Sequence, residues 1–220
     1  MAATTPIHQL LGSPLLWRGR QPDASSPAGI PSRHARLDAL LPGGGWPPGS
    51  LIELIANQFG IGELALLLPG LAELTQNANV ATSKRLGARR QIVLIDPPYL
   101  PYAPGLMQAG LKLDQLWWIS TERSQDAAWS CEQSLRSGSC AAVLYWPVQA
   151  LPDKTLRRLQ LAAEQGQSLG FLFRDESAWQ QTSPAAVRLQ LRRQAKALQL
   201  ELRKCRGISG RAQLQLDQPG

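Results

Sequence analysis

Two hydrophobic patterns divide the chain. Between Leu51 and Phe173 the apolar residues come in short continuous runs, LIELI, QIVLID, LWWIS, CAAVLYW and SLGFLF, each about strand length. Runs of that kind are typical of strands buried on both faces of a parallel sheet. Segments of helical period separate them. Gly62 to about Thr75 follows the first run, and Ser124 can cap a helix through DAAWSCEQSLRS that ends at Gly138. LPDKTLRRLQLAAEQ follows the fourth run and stops at Gly166. Pro69 should kink the first of these helices, because it removes one hydrogen bond.

After Pro184 the pattern changes to period two. Val187, Leu189 and Leu191 alternate with Arg188, Gln190 and Arg192; Leu198, Leu200 and Leu202 alternate with Gln199, Glu201 and Arg203. Two alternating strands joined by a short polar turn predict a hairpin with one buried and one wet face. The expected fold is therefore α/β, a mainly parallel sheet flanked by helices with a C-terminal antiparallel β-hairpin.

The stretches outside these patterns set the boundaries. Residues 1–30 mix short apolar clusters with Pro22, Pro27 and other breakers, which reads as a flexible N-terminal arm. Residues 31–206 form one domain, opened by a short helix over SRHARLDALL, capped by Ser32, and the turn PGGGWPPGS. Residues 207–220 read as a flexible tail, and Gln76–Arg90, with Lys84, Arg85, Arg89 and Arg90, as a polar surface insertion.

Composition narrows the function classes. The 220 residues are 44% hydrophobic and 18% charged, with a net charge of +7; that is globular, and the basic balance favours acidic partners such as nucleic acid. Cys131, Cys140 and Cys205 lack ligand spacing, and His8 and His34 lie far from them, so no metal site is expected. No apolar run is long enough to span a bilayer and no charged-then-apolar leader opens the chain, so a cytoplasmic protein without membrane contact is expected.

The first run leads into LIELIANQFGIGELALLLPGL, the strand, glycine loop and helix of a phosphate-binding site. Its chemistry is absent. Counting back from Gly62, Asn57 stands at the first glycine, Glu63 at the lysine and Leu64 at the hydroxyl; Gly60 and Gly62 keep only the turn. A glutamate there repels triphosphate by roughly 1 kcal/mol or more even with solvent screening. No nucleotide, other cofactor or catalytic residue is expected. Ser130, Ser137 and Ser139 have no histidine and aspartate beside them in sequence.

The order of these motifs resembles the RecA ATPase core from about Ile30 to Arg206. QIVLIDPPYLPYAPGLMQAGLKLDQLWWIS is similar to its second strand and following helix, AAVLYWPVQAL to its Walker B strand, and AVRLQLRR with LQLELRKCRG to its late hairpin. On that resemblance the metal-binding aspartate falls on Trp146 and the catalytic glutamate on Pro98, while Asp96 is retained. The implication is a degenerate ATPase core, not an enzyme.

GGGWP, PPYLPYAPGL, EQSLRSGSCAAVLYW, RRLQLAAEQG and SLGFLFR resemble the ImuA family of RecA-like translesion-synthesis accessory proteins. SulA, the cell-division inhibitor of the SOS response, shares the same degenerate core. The ImuA resemblance implies a non-catalytic accessory of mutagenic synthesis, with RecA, ImuB and an error-prone C-family DNA polymerase as partners and DNA as a further one. The SulA alternative implies FtsZ. Contacts are expected at Arg188, Arg192, Arg193, Lys196, Arg203, Lys204 and Arg206 of the hairpin, or these cations merely protect a solvated edge. Trp179, in the loop RDESAWQQTSP, is the candidate exposed aromatic contact, whereas Trp118 and Trp146, on predicted strands, are expected in the core.

Overall fold

The computed structural model describes residues 28–76, 91–194, 197–205 and 212–217. In chain order they form α1 (Ala35–Asp38), β1 (Leu51–Ala56), α2 (Glu63–Gln76), β2 (Gln91–Ile95), α3 (Ala103–Gln108), β3 (Leu116–Ile119) and α4 (Ser124–Arg136). Then come β4 (Cys140–Tyr145), α5 (Asp153–Gly166), β5 (Leu169–Asp175), a 3-10 turn (Glu176–Gln180), β6 (Val187–Gln194), β7 (Ala197–Cys205) and β8 (Ala212–Asp217). The strands make one sheet in the order β3-β2-β4-β5-β1-β6-β7-β8. From β3 to β6 every pairing is parallel; β6, β7 and β8 pair antiparallel. This is a mixed α/β protein with a large, mostly parallel sheet.

The continuous apolar runs form the middle of that sheet because both of its faces are covered there. On one face Leu66, Leu67, Leu71 and Ala72 of α2 and Leu106 of α3 pack on Ile52, Leu54, Ile92, Leu94 and Phe171. On the other, Ala127, Cys131 and Leu135 of α4 and Leu156, Leu159 and Ala163 of α5 pack on Leu51, Val93, Val143 and Leu172. The hairpin's leucines, Leu189, Leu191, Leu198, Leu200 and Leu202, extend the first core. Burial of this extent, at about 25 cal/mol per Å² of apolar surface, is the main force holding the sheet.

Several local expectations change. The helix over SRHARLDALL shrinks to Ala35–Asp38; Ser32 Oγ accepts from the His34 amide instead of capping a longer helix. The helix α2 carries Pro69 inside it, as expected, and ends at Gln76. Ser124 is the first residue of α4 and Arg123 its cap, with no side-chain cap bond. At the end of α5 the left-handed residue is Gln167, φ 52°, and not Gly166. Gly166 serves packing: a Cβ there would lie 1.8 Å from the Leu135 carbonyl oxygen, so only glycine lets α5 meet the end of α4.

Part of the expected tail, Ala212–Asp217, is strand β8, whose Leu214 is buried against the hairpin's core. The expected arm, residues 1–30, lies outside the described residues up to residue 27; Ile30 makes an antiparallel bridge to Trp46. The insertion lies outside them from residue 77 to 90.

Candidate protein-docking site

At the carboxyl end of β1 the glycine loop closes on itself. Glu63, the first residue of α2, turns back so that one carboxylate oxygen accepts from the Gly60 amide at 2.7 Å and the other from the Gly62 amide at 3.1 Å. These are the donors that a phosphate oxygen takes in such a loop. The carboxylate also sits at the positive end of the α2 dipole, which stabilises it there. Gly60 and Gly62 both have positive φ, 83° and 113°, so the loop needs glycine for its shape alone. Asn57 lies in the same exposed loop.

The two strand ends beside it are filled or committed as well. Trp146, just past β4, is buried and stacks on Phe173 of β5, ring centroids 4.1 Å apart and planes 5° from parallel. Asp96, just past β2, takes a left-handed conformation (φ 47°), which aspartate tolerates better than most residues. Its carboxylate accepts from the Thr121 amide and hydroxyl, both at 2.7 Å, and so ties the end of β2 to the loop after β3.

The basic hairpin is differentiated along its length. Arg188 lies opposite the leucines as its period requires, yet it is 4% exposed; the expectation of an outward contact there is corrected. The connection from β5 to β6 lies over that part of the face. Arg188 donates to Glu53 at 2.6 Å and to the carbonyls of Gln181 and Ala178. Arg174 donates to the other Glu53 oxygen at 2.7 Å and to Gln181, and Ser183 adds a hydroxyl at 2.7 Å. One buried carboxylate thus holds two buried guanidinium groups, all well hydrogen-bonded, and pins the covering loop to the sheet.

Beyond that loop Arg192 and Arg193 are exposed. Arg192 pairs with Glu176 at 3.1 Å, and Arg193 reaches back to the Ile61 carbonyl of the glycine loop at 3.3 Å. Arg203 is the extra residue of a β-bulge, since Arg188 pairs with Lys204 and Leu189 with Leu202. Its guanidinium lies 4.8 Å from the centre of the Trp179 ring, so these two expected contacts engage each other, and Trp179 is half-buried. Lys204 lies on β7. Lys196 and Arg206 fall outside the described residues.

The exposed aromatic surface lies elsewhere. Trp118, expected in the core, is 51% exposed, and Trp117 beside it is also exposed, because β3 is the last strand of the sheet in the direction away from the hairpin. Tyr99, Leu100, Tyr102 and Met107, after β2, are each at least 60% exposed. Pro97, Pro98 and Pro101 lead this segment out of the sheet into α3, which carries Pro104 and Met107, and Tyr99 reaches to within contact distance of Gly60. From sequence this segment entered only through its resemblance to known families; the signal was a dense set of large apolar residues among prolines. Glu53 was likewise missed, although a lone carboxylate inside LIELI demands a buried partner.

Among the described residues no helix is long and apolar enough to cross a membrane and no cluster suits a metal ion.

No family model matches the chain. Over 86 residues it is 35% identical to the cell division inhibitor SulA of Photorhabdus laumondii, covering 39% of this chain and 48% of that protein. Over 99 residues it is 34% identical to the cell division inhibitor SulA of Pectobacterium atrosepticum, covering 43% and 57%. The chain spans about half the length of the curated relatives it matches. Among solved structures, SulA from Pseudomonas aeruginosa is similar with a TM-score of 0.44 and 25% identity, over 56% of this chain and 97% of that one. These findings overturn the expected role in a translesion-synthesis mutasome with ImuB, RecA and a polymerase: the relatives are named for inhibition of cell division. The resemblance that holds is to SulA.

Proposed function

We propose that this protein is a non-catalytic, SulA-like inhibitor of cell division that acts in the DNA-damage response by docking on the tubulin-like protein FtsZ. The reading treats the sheet as a RecA-like core from which ATP chemistry has been removed. Glu63 occupies the loop donors, Trp146 stands stacked at the Walker B position, and Asp96 is committed to Thr121. Any likeness to ImuA is, in this reading, one of scaffold alone.

The observation that carries the proposal is the set of exposed apolar residues Tyr99, Leu100, Tyr102 and Met107, on the proline-rich segment after β2 and the helix α3 it enters, with Tyr99 near the closed loop. Tyrosines with large aliphatic neighbours are the residue types that anchor protein interfaces. The naming of the curated relatives supplies the class of target.

The test is induction of the chain in dividing bacteria, scored for filamentation, beside a turnover assay of the purified chain with ATP and magnesium. Filamentation that disappears with Leu100→Ser/Tyr102→Ser, and no ATP turnover, are the expected results. Normal division under wild-type induction, or ATP turnover abolished by a Gly62 substitution, overturns the reading.

A further inference from the structure

A groove outside the carboxyl ends of β2, β3 and β4 carries an inference of its own. Strand β2 leads into α3, whose Leu106 packs in the first core; β3 and β4 lead into α4 and α5, which pack in the second. Where neighbouring strands send their connections to opposite faces, a crevice opens beyond their carboxyl ends. Here a cavity of about 500 Å³ has Trp118, Glu122 and Val148 in its wall. A second, of about 560 Å³, is lined by Trp129, Leu151 and Thr155, and Ser124, Tyr145 and Gln149 line both. The two form one elongated groove with an exposed tryptophan toward each end.

The charges along it are unevenly matched. At the Trp129 end Glu132 is shared by Arg136 and Arg158, and Asp126 pairs with Arg123 at 3.6 Å. At the Trp118 end two carboxylates face the cavity without a cation. Asp96 accepts from the Thr121 amide and hydroxyl, and Glu122 enters no ion pair among the described residues. The bonds from Thr121 to Asp96 also hold the loop that presents Glu122, the next residue. Four carboxylates and two guanidinium groups line the groove, which is therefore net negative in a chain of net charge +7.

That imbalance sets the chemistry of the occupant. An exposed indole beside uncompensated carboxylates takes a lysine ammonium or an arginine guanidinium, through cation–π attraction and a charge-assisted hydrogen bond. Among the described residues no group of three or more acidic, histidine or cysteine side chains could hold a metal ion, so the carboxylates do not converge on one point. The length of the groove, with Trp129 and Leu151 at its other end, suits a chain segment that follows its basic residue with an apolar one.

We propose that the groove binds a basic segment of a partner protein, one Arg or Lys side chain lying on Trp118 with its charge met by Glu122 and Asp96, and an apolar side chain packed on Trp129. The proposal stands apart from the division-inhibitor reading, since it concerns different side chains and its test needs no FtsZ.

The experiment is selection of a displayed random-peptide library on the full chain, followed by fluorescence anisotropy with the enriched peptide. Enrichment of sequences with Arg or Lys beside an apolar residue is expected, against the net positive charge of the chain, and binding should weaken as salt rises. Glu122→Gln should weaken binding by about 5-fold or more and Trp118→Ala by about 5- to 10-fold, while Glu201→Gln, on the hairpin, leaves it unchanged. Replacing the basic residue of the peptide by Gln should abolish the difference between wild type and Glu122→Gln. Glu122 is exposed, and an unchanged melting curve verifies the fold of its variant. Absence of enrichment, enrichment of acidic or uncharged peptides, or indifference to Glu122→Gln in a folded variant overturns the proposal.

Discussion

The carboxyl edge of the sheet has two halves that differ in what they have done with their polar groups. Around β1 and β6 several polar groups are held within the chain: Glu63 accepts from the loop amides, Glu53 holds two arginines, and Arg193 donates to the Ile61 carbonyl. Around β2 and β3 the chain displays Tyr99, Leu100, Tyr102 and Trp118 to solvent. A parallel α/β sheet offers its carboxyl edge for binding. In this protein the half that resembles a nucleotide site is sealed, and the neighbouring half is open. The difference is that a loop shaped like a nucleotide site can have its donors satisfied from within, while large apolar side chains beside it stay uncovered.

Substitutions should separate the halves by what they damage. The largest effect is expected at Glu53→Ala, which strands two buried guanidinium groups and should cost about 3–5 kcal/mol in urea denaturation. Trp146→Ala, which removes a buried ring stacked on Phe173, should cost about the same, 3–5 kcal/mol. By contrast Leu100→Ser or Trp117→Ala on the open half should change stability by no more than about 0.5 kcal/mol. Equal losses in both halves would erase the distinction.

Glu63→Ala is the intermediate case. It frees the Gly60 and Gly62 amides and removes a favourable charge from the α2 terminus, a loss of about 1–2 kcal/mol. Titration calorimetry of this variant with ATP and magnesium sharpens the comparison: no binding is expected, because the lysine, hydroxyl and metal-binding carboxylate stay absent. Tight binding on removal of Glu63 alone would mean that the site is plugged but intact.

A further effect concerns pH. Burial pushes the Cys205 thiol from 9.0 up to about 11 and raises Cys131 further still. Because the unfolded thiols ionise first, stability is full below pH 9 and falls as pH rises toward 11, by at most about 1.4 kcal/mol per unit for each thiol. Denaturation at pH 8 and pH 10 checks this, and Cys205→Ala should reduce the slope.

How much of this was legible depends on whether a residue's environment is set locally. The runs LIELI, QIVLI and CAAVLYW announce buried strands because strands covered on both faces need no alternation. The hairpin announces itself through its period. The exposure of Trp117 and Trp118 was not legible, since LWWI reads like its neighbours and only the sheet order leaves β3 without a further partner. Arg188 had the correct face but the wrong environment: the covering loop comes from elsewhere in the chain. At the glycine loop, the missing lysine was plain, whereas the return of the Glu63 carboxylate onto the loop amides depends on backbone geometry that the residue types do not encode.

The central claim, a sealed nucleotide half beside an open docking half, is tested most directly by sedimenting FtsZ polymers in the presence of the purified chain. The wild-type chain and Glu63→Ala should both keep FtsZ in the supernatant at near-equal molar ratio, and Leu100→Ser/Tyr102→Ser should fail while remaining folded. Undiminished FtsZ sedimentation with the wild-type chain, or inhibition that survives the double substitution, would contradict the account.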